Sequence, residues 1–218
     1  MDSERKTLPI FPLGGVVLFP GSPLVIRVFE ERYKKLVADV ESTDSRIGIV
    51  LIKEGNEVGD IAEPFQVGTQ SKIVESTRMD NGQIFLSLLG EQVFRIKQIV
   101  TEYPYQTADV EIINELPNLG ISPESVISVT EAFQEYLKIA RSLEGSWSGQ
   151  LVNEPDPVKL SYLIAQIMSA EPLVKQGLLE TLGAGDRLEI EENLLRRGTE
   201  RLRHRLVDRG PQTRFGKN

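Results

Sequence analysis

The chain has no cysteine and one histidine, His204. Without cysteine there is no disulfide, no thiol nucleophile and no thiolate zinc site. A single histidine near the basic carboxy-terminal end is a poor basis for a serine–histidine triad, in which imidazole must sit between a carboxylate and a hydroxyl. No GxxxxGK[ST] run, HExxH pair or regularly spaced acidic calcium loop occurs, so phosphate-cradling, zinc-peptidase and EF-hand chemistry lack their residues. Gly14, Gly15 and Gly21 do not make GxGxxG, and they lie between two apolar runs rather than between a strand and a helix. Long apolar runs are also missing. The most apolar amino-terminal stretch, residues 8–33 (LPIFPLGGVVLFPGSPLVIRVFEERY), is interrupted by Pro9, Pro12, Pro20 and Pro23. It falls well short of the roughly 18 unbroken apolar residues that suggest a membrane span. The first residues, MDSERKTLPIF, carry charge but no apolar core before a small-residue cleavage site, so no secretory leader is expected. A reducing, cytoplasmic setting is the expectation.

What is present suits a globular protein of one domain or two small ones: 218 residues, 40% apolar and 26% charged. The formal net charge of −7 hides an asymmetry, because residues 196–218 hold eight Lys or Arg against two acids. An acidic body opposes broad nucleic-acid binding, which depends on neutralising phosphates. The basic end reads as a solvated helix terminus.

Prolines divide the 8–33 stretch into two short strands, 8–11 and 24–29, joined by a loop on Gly14-Gly15 and Pro20-Gly21. A helix over 30–42 follows, with Tyr33, Leu36, Val37 and Val40 on one face. The run RIGIVLIK (46–53) predicts a strand covered on both faces. Residues 54–64 read as an acidic loop. Residues 65–79 and 83–89 flank Asp80-Asn81-Gly82, a strong hairpin signal because the turn requires positive φ. Gly90 allows a bend or bulge before a strand over 93–100, and a last strand covers 105–113. Beyond residue 116 the period becomes helical. Ser122-Pro123 and Asp156-Pro157 are cap-then-proline starts, Pro172 opens a short helix closed by Gly183, and Asp186 with Glu189 resembles a capping box. The expected fold is α+β: a curled, mostly antiparallel sheet with one helix over 1–117, then a helical subdomain over 118–218.

No carboxylate pair stands out in an apolar setting that would tune it for acid–base work, and adjacent Ser71 and Lys72 would point to opposite faces of a strand. The acids of the 54–63 loop read as solvated. The notable feature is apolar material in connections: Val16, Val17, Leu18, Phe19 and Pro20 in the first, and Trp147, the sole tryptophan, in the GSWSG segment 145–149. Such residues either fold back into the core or form a patch that grips other polypeptides.

On these residues the chain resembles the amino-terminal, substrate-binding domain of the ATP-dependent Lon protease family. The likeness runs through residues 8–33, the VGT of 67–69, DNGQIFLSLLGEQVFRI (80–96), EYPYQTADVE (102–111) and KQGLLETLGAGDRLEIEENLLRR (175–197). It implies a PUA-like pseudo-barrel around one helix, followed by a helical bundle. In the full protease this region helps recognise unfolded or tagged substrates and supports hexamer assembly, while the ATPase and peptidase modules lie further along. One departure is Val93, where the family's G-x-x-R-F strand commonly has arginine. The resemblance implies a non-enzymatic polypeptide-binding module with no cofactor or metal. Leu18, Phe19, Pro20 and Trp147 are its expected contacts with unfolded or extended polypeptides. A separate protease or chaperone and weak self-association stay open as further partners. No membrane partner is expected. Two alternatives stand beside this reading: RNA binding, as in other PUA-like barrels, and carboxylate catalysis in a barrel-end pocket.

Overall fold

The computed structural model describes residues 5–59, 61–102, 104–116, 121–144 and 154–208. They form two compact units, Met1–Leu116 with Ala165–Leu182, and Pro117–Ile164 with Gly183–Asn218.

The first unit holds strands β1 (Arg5–Leu13), β2 (Pro23–Val28), β3 (Arg46–Glu54), β4 (Glu63–Pro64), β5 (Val67–Arg78), β6 (Ile84–Thr101) and β7 (Thr107–Ile112), with helix α1 (Glu31–Glu41). The sheet order is β1-β7-β6-β5-β3-β4, with β2 paired to β6. A parallel β1–β3 pairing joins the first strand of this path to its next-to-last, so the sheet closes on itself. The other pairings are antiparallel. Closure shortens the free edges of the sheet. β1 carries Pro9 and Pro12 without breaking the ladder. It pairs with β7 through residues 5–9 and with β3 through 10–13, mostly one neighbour at a time. Half its backbone donors are therefore not needed.

Two apolar clusters fill the unit. In the first, Tyr33, Leu36, Val37 and Val40 of α1 pack among Phe11, Leu13, Leu18, Ile26, Ile49, Leu86 and Leu88. Phe11 and Tyr33 stack with ring centroids 4.2 Å apart. The second contains Leu8, Ile10, Val50, Phe94, Ile96, Ala108 and Val110. Alternation along β1 sends Leu8 and Ile10 to one cluster, Phe11 and Leu13 to the other. Phe94 fits because Gly48 and Gly68 lie beneath it; a Cβ on either would approach its ring to 2.9 Å.

The Asn81-Gly82 hairpin forms as expected, with Gly82 at φ 76° and the Met79 amide donating to Gln83 O at 2.8 Å. The two strands expected around Gly90 are instead one strand, β6. The bend is absorbed by a register shift, where Gln70 faces Gln92 and Ser71 faces Gly90. The expected 54–64 loop is shorter, since β3 reaches Glu54 and β4 takes Glu63–Pro64.

The division at residue 117 needs a larger correction, because Ala165–Leu182 belongs to the first unit. This segment includes helix α4 (Pro172–Glu180), which packs on β5. Gln176, buried in α4, donates from Nε2 to Val67 O at 3.0 Å. Periodicity shows that a helix has an apolar face but not which element covers it.

The second unit is helical: α2 (Pro123–Glu144), the first turns of α3 (Pro157–Ile167) and α5 (Ala184–Asp208), with α2 and α5 packed together. The cap signals hold. Ser122 Oγ accepts the Ser125 amide at 3.1 Å, and Asp156 Oδ1 accepts the amides of Val158 at 2.9 Å and Lys159 at 3.2 Å. α5 starts before the expected cap, so Asp186 lies within its first turn.

A polar trio is buried in this unit: Ser161, Arg187 and Glu191, each 0% exposed. Arg187 Nε donates to Ser161 Oγ at 2.6 Å, Ser161 Oγ donates to Glu191 Oε1 at 3.1 Å, and the guanidinium lies 4.1 Å over the Tyr162 ring. Burial pushes the Glu191 carboxyl up to about 9, against smaller opposing effects of Ser161 and Arg187. The folded chain thus keeps a proton that the unfolded chain loses near pH 4.5. Stability should therefore fall as pH rises from there and level off above about pH 9. Glu191→Gln keeps the acceptor for Ser161 and removes the titration. The wild type should lose more stability than Glu191→Gln between about pH 5 and pH 8, by up to ~1.4 kcal/mol per pH unit. Urea unfolding of both at several pH values checks this, and parallel curves would contradict it.

Candidate functional site

The connection between β1 and β2 turns back into the protein because it is tied to the sheet along its length. Thr69 Oγ1 donates to Leu18 O at 2.6 Å. The Gly21 amide donates to Gly90 O at 2.8 Å, and the Gly90 amide to Ser22 O at 2.9 Å. A turn closes where the Ser22 amide meets Phe19 O at 3.1 Å. Gly90 permits this approach, since a Cβ there would lie 2.3 Å from Phe19 O. On the outer side, the Gly14 amide donates to Glu57 Oε2 at 2.9 Å, giving one acid of the 54–63 loop a structural partner.

Beside this loop is a pocket of about 240 Å³. Val16, Val17, Leu18, Pro23 and Leu24 line one part of it. Gln166, Ala170, Pro172 and Lys175, from α3, α4 and the turn between them, line another. Ser22 Oγ donates to Gln166 Oε1 at 2.7 Å and links the two parts. Lys175 Nζ donates to the backbone carbonyl of Gln166 at 2.9 Å, and burial lowers its pKa. Among the described residues no carboxylate or imidazole lines the pocket, and Lys175 is the titratable side chain there. Carboxylate catalysis in a barrel-end pocket would need acids there, and among the described residues none lines this pocket. Val16 is partly exposed, as are Val25 on β2, Leu89 on β6, and Leu173 and Val174 on α4. Pro23 stands opposite Leu89 across the β2–β6 pair.

The expected contact residues are placed unevenly. Leu18 is 4% exposed and Phe19 is 0% exposed, so the expectation that Phe19 offers its ring to a partner is corrected: it is a core side chain. The physical reason is the set of hydrogen bonds to Thr69 and Gly90, which pull this part of the loop inward. Phe19→Ser would remove a buried ring at a cost of about 3–5 kcal/mol, so lost binding in that variant would not identify a contact. Leu18 still lines the pocket wall, and Pro20 is half-buried. Trp147 lies outside the described residues. Leu24, Gln166 and Lys175 were not expected, and Val16 was singled out only as part of the apolar loop. The only local signal for any of them was the apolar character of 16–24. Val93 is buried opposite Thr69.

Elsewhere, no group of three or more His, Asp or Glu among the described residues could hold a metal ion. No described helix is long and apolar enough to cross a membrane. In the basic segment Arg196 pairs with Glu192 and Arg203 with Glu135, which reduces the charge available for phosphates.

Residues 7–197 match the family model of the ATP-dependent protease La (LON) substrate-binding domain. The chain is 27% identical over 196 residues to the Lon protease of Roseiflexus castenholzii, covering 89% of this chain and 24% of that protein. It is 29% identical over 193 residues to the Lon protease of Flavobacterium johnsoniae, covering 86% and 24%. The chain thus spans about a quarter of the length of these relatives. Among solved structures, the Lon N-terminal domain protein of Xanthomonas campestris superimposes with a TM-score of 0.64 at 25% identity, covering 84% of this chain and 95% of that one. The N-terminal domain of the Mycobacterium avium complex Lon protease gives 0.63 at 18% identity, covering 87% and 98%, a likeness of fold.

Gly90 provides a direct test of how the loop is held. Gly90→Ala should cost about 1–3 kcal/mol through steric overlap with the Phe19 carbonyl. It should also speed hydrogen exchange at the Gly21 amide. Unchanged urea stability and unchanged exchange would show that the loop is held by something else.

Proposed function

We propose a function from one premise: this chain belongs to the family of the ATP-dependent protease La (LON) substrate-binding domain. It is a polypeptide-binding module, and the pocket between the β1–β2 loop and α4 is where an extended segment docks. The observation that carries the reading is the pocket's composition. Val16, Leu18, Pro23, Leu24 and Pro172 make apolar walls on a chain with 32 acids, yet no acid among the described residues lines it. The pocket can take a side chain but not a folded surface, which favours a client whose backbone is already extended. The exposed Val25, Leu89, Leu173 and Val174 add apolar area for neighbouring side chains. Burying one aliphatic or aromatic side chain contributes about 1.5–3 kcal/mol, so a single contact is weak and sequence-tolerant. Tight binding then depends on several contacts acting together. The role proposed is binding without catalysis: Ser22 and Lys175 each bond to Gln166 rather than to one another, and the matched family domain is described as substrate-binding.

Fluorescence anisotropy with a labelled, permanently unfolded protein tests this. Val16→Asp, on a side chain already 37% exposed, leaves the core intact and places a charge at the pocket wall. It should weaken binding about tenfold, equivalent to ~1.4 kcal/mol. Val207→Asp, at a 77% exposed position on α5, should have no effect. Equal affinity in wild type and Val16→Asp would remove the pocket from the account.

A further inference from the structure

We infer that the pocket receives the carboxy-terminal end of a client polypeptide, with the last apolar side chain against Val16, Leu18 and Leu24 and the free α-carboxylate on Lys175 Nζ. This rests on the polypeptide-binding reading above and narrows it to one kind of segment. An ammonium has three donors, and Lys175 uses one on the Gln166 carbonyl at 2.9 Å. No carboxylate among the described residues is paired with it, although the chain carries 32 acids. A half-buried cation that has lost part of its hydration without gaining an anion is under-compensated, and an arriving anion would correct this. The Ser22 hydroxyl occupies Gln166 Oε1 at 2.7 Å, so the Gln166 amide N–H₂ remains to donate. One charged and one neutral donor can thus serve the two oxygens of a carboxylate.

The shape selects which carboxylate. A phosphate group would need several donors, and this pocket is mostly apolar. An internal Asp or Glu has a carboxylate but no apolar side chain on the same Cα. A chain ending in an apolar residue carries both on one Cα, matching walls and cation that lie side by side.

The test uses one labelled peptide sequence ending in leucine, as the free acid and as the carboxamide. A third peptide, an amide ending in glutamate, presents a side-chain carboxylate instead. The free acid should bind about tenfold more tightly than the leucine amide, as expected for a hydrogen bond to a charged group. Lys175→Gln should bring the free acid down to the amide's affinity and leave the amide unchanged, while its thermal unfolding matches wild type. Equal binding of acid and amide, or a preference that survives Lys175→Gln, overturns the inference. So does equally tight, Lys175-dependent binding of the glutamate amide. In each of those cases the polypeptide-binding reading stands if the bound peptides still weaken on Val16→Asp. If no peptide and no unfolded protein binds, that reading fails as well.

Discussion

The candidate site depends on a contact that only glycine permits. The carbonyl oxygen of Phe19 occupies the space a side chain at position 90 would need, 2.3 Å from where a Cβ would sit. With Thr69 holding the Leu18 carbonyl and Gly90 exchanging backbone hydrogen bonds with Gly21 and Ser22, the β1–β2 loop cannot lift from the sheet without losing several bonds together. Phe19 is thereby taken into the core, while Val16 stays partly exposed at the edge of the pocket. An apolar surface is kept open because its neighbour is anchored inward. A loose loop of the same composition would collapse over its own apolar side chains.

The rest of the first unit supports that arrangement. β6 joins both apolar clusters, contributing Leu86 and Leu88 to one and Phe94 and Ile96 to the other, and it presents Gly90 between them. The parallel β1–β3 pairing closes the sheet and fixes where the β1–β2 loop begins. α4 supplies the opposite wall. Its buried Gln176 bonds to the Val67 carbonyl, one turn from Pro172 and adjacent in sequence to Lys175. A buried amide N–H₂ bonded in this way is directional, unlike apolar packing, and it sets the rotation of the helix. Lys175 reaches the pocket as a consequence.

Much of the fold could be read from the sequence, where local chemistry determines local structure. Asn81-Gly82 specified its hairpin, Ser122 and Asp156 specified helix starts, and the unbroken run of 46–53 specified a strand covered on both faces. The apolar loop was also visible, but its orientation was not. Residues 16–20 have no strand or helix period, so nothing in their order tells Phe19, which is buried, from Val16, which is not. The Lys175 wall lies about 150 positions from the loop it faces, and no local pattern encodes such a distance. Residues 165–182 have the same helical periodicity whether they pack on helices or on a sheet, which hid their place in the first unit. Arg187 and Glu191, spaced as a surface ion pair would be, are fully buried.

Backbone NMR provides the most direct test of the central claim, that an extended polypeptide occupies the pocket beside the β1–β2 loop. On titration of the isotope-labelled chain with an unfolded protein, the account expects amide resonances of residues 16–24 and 170–175 to shift or broaden together, while those of α2 and α5 stay in place. Perturbations confined to α2 and α5, or a spectrum unchanged at saturating client, would contradict it.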